Sequence, residues 1–256
     1  MRGVLTISRL DSGSLYINDV AILKKFNDNC FKLSLCRSLR VKGYEDDKRG
    51  KNRGVNSGKL DNNISRAKSK VKEYALCNEF KYFITLTIDK NKYDRYDLKT
   101  YYKDLGQFIR NYNRIHNTKV DYILIPEEHE DGAWHMHGLF NGILDKHLQV
   151  NSNGYLQWKQ YTKKFGYMSL DLVKSKEKVA NYITKYITKN LAKSIKELNA
   201  HMYYCSQGLN VAQEIKRGTL SANNIPYDFE NEYVKIKFFD NDSVKDFITD
   251  NILINN

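Results

Sequence analysis

A predicted β-hairpin at residues 122–140 limits the possible folds of this chain more strongly than any other segment. Residues 122–128 and 134–140 are rich in aliphatic and aromatic side chains that favour strands, and an acidic turn ending at Gly132 lies between them. Strands joined by so short a connection pair in antiparallel orientation. The chain is therefore expected to build its core around an antiparallel sheet.

The other predicted elements indicate an α+β domain. Residues 81–88 read Lys-Tyr-Phe-Ile-Thr-Leu-Thr-Ile, a run typical of a central strand. Asp97 is a suitable N-cap for a helix whose apolar residues keep helical spacing as far as Ile115. A second helix is predicted over residues 175–193 and a last strand at residues 203–204. This order predicts an α+β sandwich in which helices cover one face of the antiparallel sheet.

Charge divides the chain into three segments. Residues 1–60 are expected to hold an N-terminal hairpin and a basic arm, because residues 48–72 carry nine basic side chains and one acid. Residues 61–225 are expected to form the main domain. Residues 226–256 are expected to be an acidic C-terminal tail, because residues 227–256 hold seven acids and three lysines.

The composition favours a polyanionic partner. Lys and Arg total 42 residues against 30 Asp and Glu, which gives a formal net charge of +12. Such a balance attracts nucleic acids. No apolar run reaches the length of about 18 residues that a membrane span requires, and the four cysteines lack the spacing of a zinc site or of a secreted disulfide scaffold. We therefore expect a cytoplasmic protein that binds nucleic acid and no membrane.

His135 and His137 form a candidate metal site on the second strand of the hairpin. Side chains alternate between the faces of a strand, so both imidazoles project to the same side. Imidazoles completed by a carboxylate and solvent accept Mg²⁺ or Mn²⁺. A third ligand is expected from the neighbouring strand, where Glu127, Glu128 and His129 are available and Glu127 is favoured for its charge. An isolated pair of this kind is more often structural than functional.

The duplicated sequence Tyr-Ile-Thr-Lys at residues 182–189 is a candidate nucleophile site. On a helix, Tyr182 and Tyr186 lie about 40° apart, with Lys185 and Lys189 just to one side. A phenol with a pKa of about 10 is a weak nucleophile at neutral pH, so it needs a nearby cation or base. The lysines are placed to hold a phosphate or to help deprotonate a phenol.

The order of these segments resembles a known family. Residues 83–87 (Phe-Ile-Thr-Leu-Thr), 135–137 (His-Met-His) and 182–189 are similar, in this order, to the three motifs of rolling-circle replication initiators. These initiators belong to the His-hydrophobe-His (HUH) endonuclease superfamily and are found in bacterial plasmids, integrative elements and phages. The resemblance covers residues 65–209 and lowers the chance that the histidines and tyrosines are only structural.

The resemblance implies a ferredoxin-like HUH fold, with N- and C-terminal extensions, and a metal-dependent endonuclease. The histidine pair and a nearby polar residue would hold the metal. A tyrosine would attack single-stranded origin DNA, leaving a 5′-phosphotyrosine link and a free 3′-OH for a polymerase. Tyr182 and Tyr186 would act in turn, with Tyr186 favoured as the first nucleophile. The sequence has no GxxxxGK[ST] loop, so a host helicase and a DNA polymerase are the expected partners.

DNA contacts are expected from cations that follow the phosphates and from aromatic rings that stack on bases. The candidate DNA-binding residues are Arg66, Lys68, Lys70, Lys72, Thr85, Thr87 and Trp134, with Tyr167 as a further platform. A conjugative relaxase or an HUH transposase is an alternative, although relaxases usually place the tyrosine ahead of the histidines and the transposases are shorter. The alternative from another class is a non-catalytic DNA-binding replication regulator.

Overall fold

The computed structural model describes residues 6–10, 13–41, 57–188, 191–192, 194, 201–218, 220, 225–231 and 234–250. The chain forms two compact units. Val55–Asn210 is one unit, and Met1–Gly54 with Val211–Asn256 is the other. The chain therefore divides after residues 54 and 210, whereas charge alone suggested divisions after residues 60 and 225. No helix among the described residues has the length and apolar character needed to cross a membrane.

Antiparallel strands and five α-helices make up the described residues. The strands are β1 (Thr6–Leu10), β2 (Gly13–Asn27), β3 (Cys30–Val41), β4 (Tyr82–Thr87), β5 (Asp121–Glu128), β6 (Trp134–Asn141), β7 (Leu148–Val150), β8 (Leu156–Trp158), β9 (Met168–Leu172), β10 (Tyr204–Cys205), β11 (Gln213–Gly218), β12 (Phe229–Glu230) and β13 (Val234–Phe239). The helices are α1 (Ser57–Cys77), α2 (Leu98–His116), α3 (Lys159–Lys164), α4 (Lys176–Ile183) and α5 (Asn241–Asp250). Short 3-10 turns occupy Asp145–His147 and Thr184–Tyr186.

Seven strands form the sheet of the Val55–Asn210 unit, in the order β10-β5-β6-β4-β9-β8-β7. The hairpin predicted at residues 122–140 is confirmed, because β5 pairs with β6 in antiparallel register along its whole length. β4, predicted as a central strand, lies between β6 and β9. With helices packed on an antiparallel sheet, the α+β class predicted from the sequence is confirmed.

The helices lie on both faces of this sheet rather than on one. On one face, Tyr102 of α2 brings its hydroxyl to 3.3 Å from that of Tyr122 on β5. On the other, Tyr186 follows α4 and stacks on His137, whose partner on β5 is Ile125. Tyr122 and Ile125 are three residues apart on a strand and so point in opposite directions. The sheet is apolar on both sides and therefore needs cover on both.

Helix α2 confirms the amphipathic helix predicted after Asp97. Its buried residues include Leu98, Tyr101, Leu105 and Ile109 at helical spacing. The Asp97 side chain accepts a 3.0 Å hydrogen bond from the backbone N–H of Thr100 and so caps the first turn. The helix therefore begins where its sequence signal indicates.

The helix predicted over residues 175–193 is interrupted in the structure. Ser175 caps α4, but α4 ends at Ile183 and one 3-10 turn continues to Tyr186. Ile187 then has φ −82° and ψ 89°, outside the helical range. Four of the six positions 183–188 are β-branched Ile or Thr, and such residues lose side-chain freedom in a helix. The tyrosine segment is thus a helix end rather than a helix centre.

The second unit has a sheet of its own, with the order β1-β2-β3-β13-β12 and with β11 paired to β2. The predicted N-terminal hairpin is formed by β2 and β3, whereas residues 42–56 of the basic arm lie outside the described residues. Residues 226–256 supply β12, β13 and α5. Val244 and Phe247 of α5 belong to one buried cluster with Leu23 and Leu33. This segment covers the apolar face of the terminal sheet and is therefore part of a folded unit.

Candidate active site

Two pairs of side chains on adjacent strands form the base of the candidate site. His135 and His137 share one face of β6, and β4 places Thr87 and Thr85 directly opposite them. Each threonine hydroxyl lies 3.2 Å from Nδ1 of its histidine. These contacts orient both rings and leave Nε2 of each for another partner. Thr85 and Thr87, which were predicted to contact DNA, thus hold the histidines.

Glu127 is the candidate third ligand that the structure brings to the histidines. Its Oε2 lies 2.7 Å from Nε2 of His137, and it is the β5 partner of His135. The ring of His129 stacks on His135 with centroids 3.8 Å apart. Glu128 makes no hydrogen bond to either histidine within the described residues. Nor does the described part of the chain contain a group of three or more His, Cys, Asp or Glu already arranged to hold a metal ion.

Burial favours the neutral form of both histidines. It lowers the pKa of His135, and the neighbouring His129 and His137 lower it further. Burial also lowers the pKa of His137, although the Glu127 carboxylate acts in the opposite direction. A neutral imidazole has the lone pair that a metal ion requires. Two imidazoles and one carboxylate are therefore a donor set that fits a divalent cation.

The tyrosines approach the histidines from the end of α4. The ring of Tyr186 stacks on His137, with centroids 4.0 Å apart and planes 12° from parallel. The Tyr186 hydroxyl donates a 3.1 Å hydrogen bond to the hydroxyl oxygen of Tyr182. Tyr182 in turn packs edge-on against Phe83 of β4. The structure therefore brings both phenols together beside the histidine pair.

The two phenols have different surroundings. Tyr182 is 44 % exposed, and Nζ of Lys185 lies 5.2 Å from the centre of its ring. Tyr186 is partly buried. Burial raises the pKa of Tyr186, and its hydrogen bond to Tyr182 and the nearby Glu127 carboxylate raise it further. Tyr182 is thus the accessible phenol and Tyr186 is held protonated. Lys189 lies outside the described residues.

An acidic cavity of about 400 Å³ opens beside Tyr186. Its lining residues are Glu127, Glu128, His129, Glu130, Tyr186, Thr188 and Leu191. Three carboxylates in one cavity repel an anionic ligand and attract a cation. The electrostatics of the cavity therefore agree with the donor set in favouring a cation.

The predicted stacking role of Trp134 is wrong. Trp134 is only 3 % exposed, and by strand alternation it lies on the face opposite the histidines, with the buried Met136. An aromatic ring at the start of a strand is used here to fill the core. Tyr167, in contrast, is 41 % exposed. Its carbonyl oxygen accepts a 2.9 Å hydrogen bond from the N–H of Thr87, so it lies beside the site on the β9 side.

The four basic residues predicted to bind DNA divide between two flanks of α1. At 100° per residue, Arg66 and Lys70 lie on one side of the buried stripe of this helix, and Lys68 and Lys72 lie on the other. The stripe consists of Ile64, Ala67, Val71 and Ala75. No described hydrogen bond or ion pair joins Arg66, Lys68 or Lys70 to the histidines or tyrosines. These residues therefore do not belong to the cluster around the histidines.

Sequence reasoning did not assign Phe83, or the support that Thr85 and Thr87 give to the histidines. Phe83 lies within 5.4 Å of Tyr182 and 6.4 Å of Tyr186, measured between ring centroids. A signal was present, because Phe-x-Thr-x-Thr places three side chains on one face of a strand. Only the register of β4 against β6 shows which histidine each threonine meets.

Residues 81–191 match the model of a replication-associated protein family, the ORF2 type. The matched segment contains β4, Glu127, the histidine pair and both tyrosines. Comparisons with curated proteins and with solved structures gave no significant match. The resemblance to replication initiators is thereby confirmed, and over residues 81–191 the chain carries a domain of this replication-associated protein family.

Proposed function

We propose that this protein cuts and rejoins single-stranded DNA at a replication origin through a tyrosine, and so initiates rolling-circle replication. The observation that carries the proposal is the stack of Tyr186 on His137. It joins a tyrosine pair and a metal-donor histidine in one cluster, as nucleophilic attack on a phosphate requires. A DNA-binding regulator without catalysis has no need of that contact. The family match supports a role in replication.

His135, His137 and Glu127 would hold the divalent ion, Mg²⁺ or Mn²⁺. With Nδ1–H of each ring donating to its threonine, Nε2 keeps the lone pair for the ion. When bound, the ion would stabilise the negative charge that develops on the scissile phosphate. The acidic cavity supports this assignment, because its carboxylates would otherwise repel the phosphate.

We assign the first attack to Tyr182 rather than to Tyr186, which the sequence favoured. Tyr182 is exposed, and its hydroxyl oxygen accepts the hydrogen bond from Tyr186, an arrangement that stabilises the phenolate. The phenolate oxygen of Tyr182 attacks phosphorus while the bond to O3′ breaks, and the departing O3′ takes up a proton. Tyr186 is near enough for the second cleavage, because the two phenolic oxygens are 3.1 Å apart.

The DNA strand would cross the sheet from β6 over β4 towards β9. Ser169 lies opposite Thr85 in the β4–β9 register, on the face of the histidines. Tyr167 is two residues before it and presents an exposed ring beside Thr87. This ring is the best-placed platform for a base next to the scissile phosphate.

A conjugative relaxase and an HUH transposase would use similar chemistry. The histidines precede the tyrosines in this chain, and the matched family is a replication-associated one, so both points favour an initiator. An initiator leaves a 3′-OH that must be extended on an unwound template. A host helicase and a DNA polymerase are therefore the partners we expect.

The test is formation of a covalent adduct. Purified protein is mixed with Mg²⁺ or Mn²⁺ and with single-stranded oligonucleotides tiled across the DNA around the gene, and adducts are separated by denaturing electrophoresis. We expect an adduct with one oligonucleotide that is lost with a chelator. Tyr182→Phe should abolish it, Tyr186→Phe should weaken it, and Tyr155→Phe, a change at an exposed tyrosine of a distant loop, should leave it unchanged.

Absence of an adduct with every oligonucleotide, despite specific binding of one of them, would support the non-catalytic regulator instead. An adduct that survives Tyr182→Phe and disappears in Tyr186→Phe would restore the assignment favoured by the sequence. Retention of the adduct in both single variants and its loss in the double variant would show that the phenols are interchangeable.

A further inference from the structure

A groove of about 780 Å³ lies at the β10 edge of the sheet in the Val55–Asn210 unit. One wall is the flank of α1 that carries Arg66 and Lys70. The opposite wall includes Tyr203, His201 and Tyr102. Its size is that of a small-molecule or nucleotide site, and none of these residues belongs to the histidine and tyrosine cluster.

The basic wall of the groove is directional. Arg66 and Lys70 are one helical turn apart and face the groove together, whereas Lys68 and Lys72 lie on the other flank of α1. Lys70 is held in place, with Nζ 2.9 Å from a carboxylate oxygen of Glu73. The guanidinium of Arg66 is exposed and forms no ion pair with any described carboxylate. It is therefore the group ready to bind a phosphate in a bidentate manner.

The facing wall supplies aromatic surface. Tyr204 stacks on Tyr102 with ring centroids 3.8 Å apart, which fixes the backbone of the short strand β10. Tyr203, the preceding residue, alternates to the α1 side. It remains partly exposed, so its ring is available across the groove from Arg66. Cations on one wall and a ring on the other are the combination that binds single-stranded nucleic acid.

We propose that this groove binds a second segment of the single-stranded origin DNA, with a phosphate on Arg66 and a base against Tyr203. The inference rests on the proposed function but concerns a separate surface. β10 pairs with β5 at Leu124, and Glu127 lies three residues further along β5, roughly 10 Å away. A strand held in the groove thus contacts the protein a few nucleotides from the nick and fixes which phosphate reaches the tyrosines.

The experiment compares two charge-matched double variants on the same helix. Binding of a short oligonucleotide that spans only the nick, and of one extended on both sides, is measured by fluorescence anisotropy over a range of salt. Arg66→Ala with Lys70→Ala should weaken binding of the long strand about tenfold and reduce its salt slope by about 1.4, the value for two phosphate contacts. Binding of the short strand should not change. Lys68→Ala with Lys72→Ala should have a much smaller effect.

Tyr203 supplies an independent test. Tyr203→Leu keeps apolar bulk without a ring and should weaken binding of the long strand several-fold, whereas Tyr203→Phe should bind as the unaltered protein does. Unfolding midpoints of all variants check that the fold is retained.

Equal losses from the two double variants would overturn the proposal, because they would show a diffuse effect of charge. Equal losses for a duplex of the same sequence would overturn the assignment to a single strand. Adduct formation on the short strand reports on the nicking reaction alone, so failure of the groove proposal and failure of the proposed function are distinguishable.

Discussion

At the scale of single residues, the site depends on the alternation of side chains along two paired strands. Thr85 and Thr87 meet His137 and His135 because both strands have a period of two and are in register. Each threonine contact fixes the orientation of one imidazole. The threonines therefore act on the metal through the histidines and need not touch the DNA.

Removal of these hydroxyls should weaken metal binding without loss of the fold. Thr85→Val and Thr87→Val keep side-chain volume but leave Nδ1 of one histidine without its partner. We expect the Mn²⁺ affinity, measured by calorimetry, to fall by about tenfold to a hundredfold. Thr162→Val is the control, because Thr162 bonds only to the carbonyl of Lys159 in its own helix. Unchanged affinity in both site variants would show that these contacts do not orient metal ligands.

At the scale of elements, the ends of helices position the functional groups. The tyrosine pair lies where α4 changes to a 3-10 turn, and Ile187 stops the helix immediately afterwards. A continuous helix would have carried residues 187–193 on the same axis. The end of the helix instead leaves Tyr186 against His137, with its hydroxyl on that of Tyr182.

Helix α2 offers a test of stability at this scale. Hydrogen bonds from Thr100 lower the pKa of the Asp97 side chain, so the ionised carboxylate stabilises the folded state. That contribution is complete above the usual pKa of about 3.9 and is lost as pH falls through the lower folded value. At neutral pH, Asp97→Ala should reduce the free energy of unfolding by about 1 kcal/mol, measured with urea.

Asp97→Asn separates the cap from the charge. The amide oxygen still accepts the hydrogen bond from Thr100, so most of the stability at neutral pH should remain. The difference between Asp97→Ala and the unaltered protein should shrink in acid, while that between Asp97→Asn and Asp97→Ala should persist. If Asp97→Asn is as unstable as Asp97→Ala, the side chain does not act as a cap.

At the scale of the whole molecule, two units divide the work. Val55–Asn210 contains every residue of the candidate site and the groove at β10. The second unit joins both ends of the chain, and the acidic C-terminal segment is built into it through β13 and α5. Net charge indicated a tail, but the apolar positions Val244 and Phe247 make the segment a structural part of the sheet.

Phe247→Ala tests this role. Phe247 is buried in the cluster that contains Leu23 and Leu33, so its truncation should cost about 3 kcal/mol in the free energy of unfolding. Phe229→Ala, at an exposed phenylalanine of the same unit, should change it by less than about 0.5 kcal/mol. Equal small effects of the two changes in denaturant unfolding would contradict a structural role for the C-terminal segment.

Local patterns were sufficient to predict the hairpin at residues 122–140, α2 and its cap, and the common face of His135 and His137. These features depend on strand or helix periodicity and on hydrogen bonds between near neighbours in the chain. Trp134 shows where such reasoning fails. An aromatic residue suits both a core and a stacking platform, and only the packing of β6 against its surroundings decides between them.

The sequence by itself determined the α+β class, the strand that carries the histidines and the presence of two tyrosines and a lysine near the end of α4. The tertiary structure decided which groups meet: Thr85 with His137, Glu127 with His137, and Tyr186 with both His137 and Tyr182. It also decided that Arg66 and Lys70 face a groove and that the ends of the chain share one sheet. The physical reason is that periodicity assigns a side chain to a face, whereas strand register and helix packing over long sequence separations choose its neighbour.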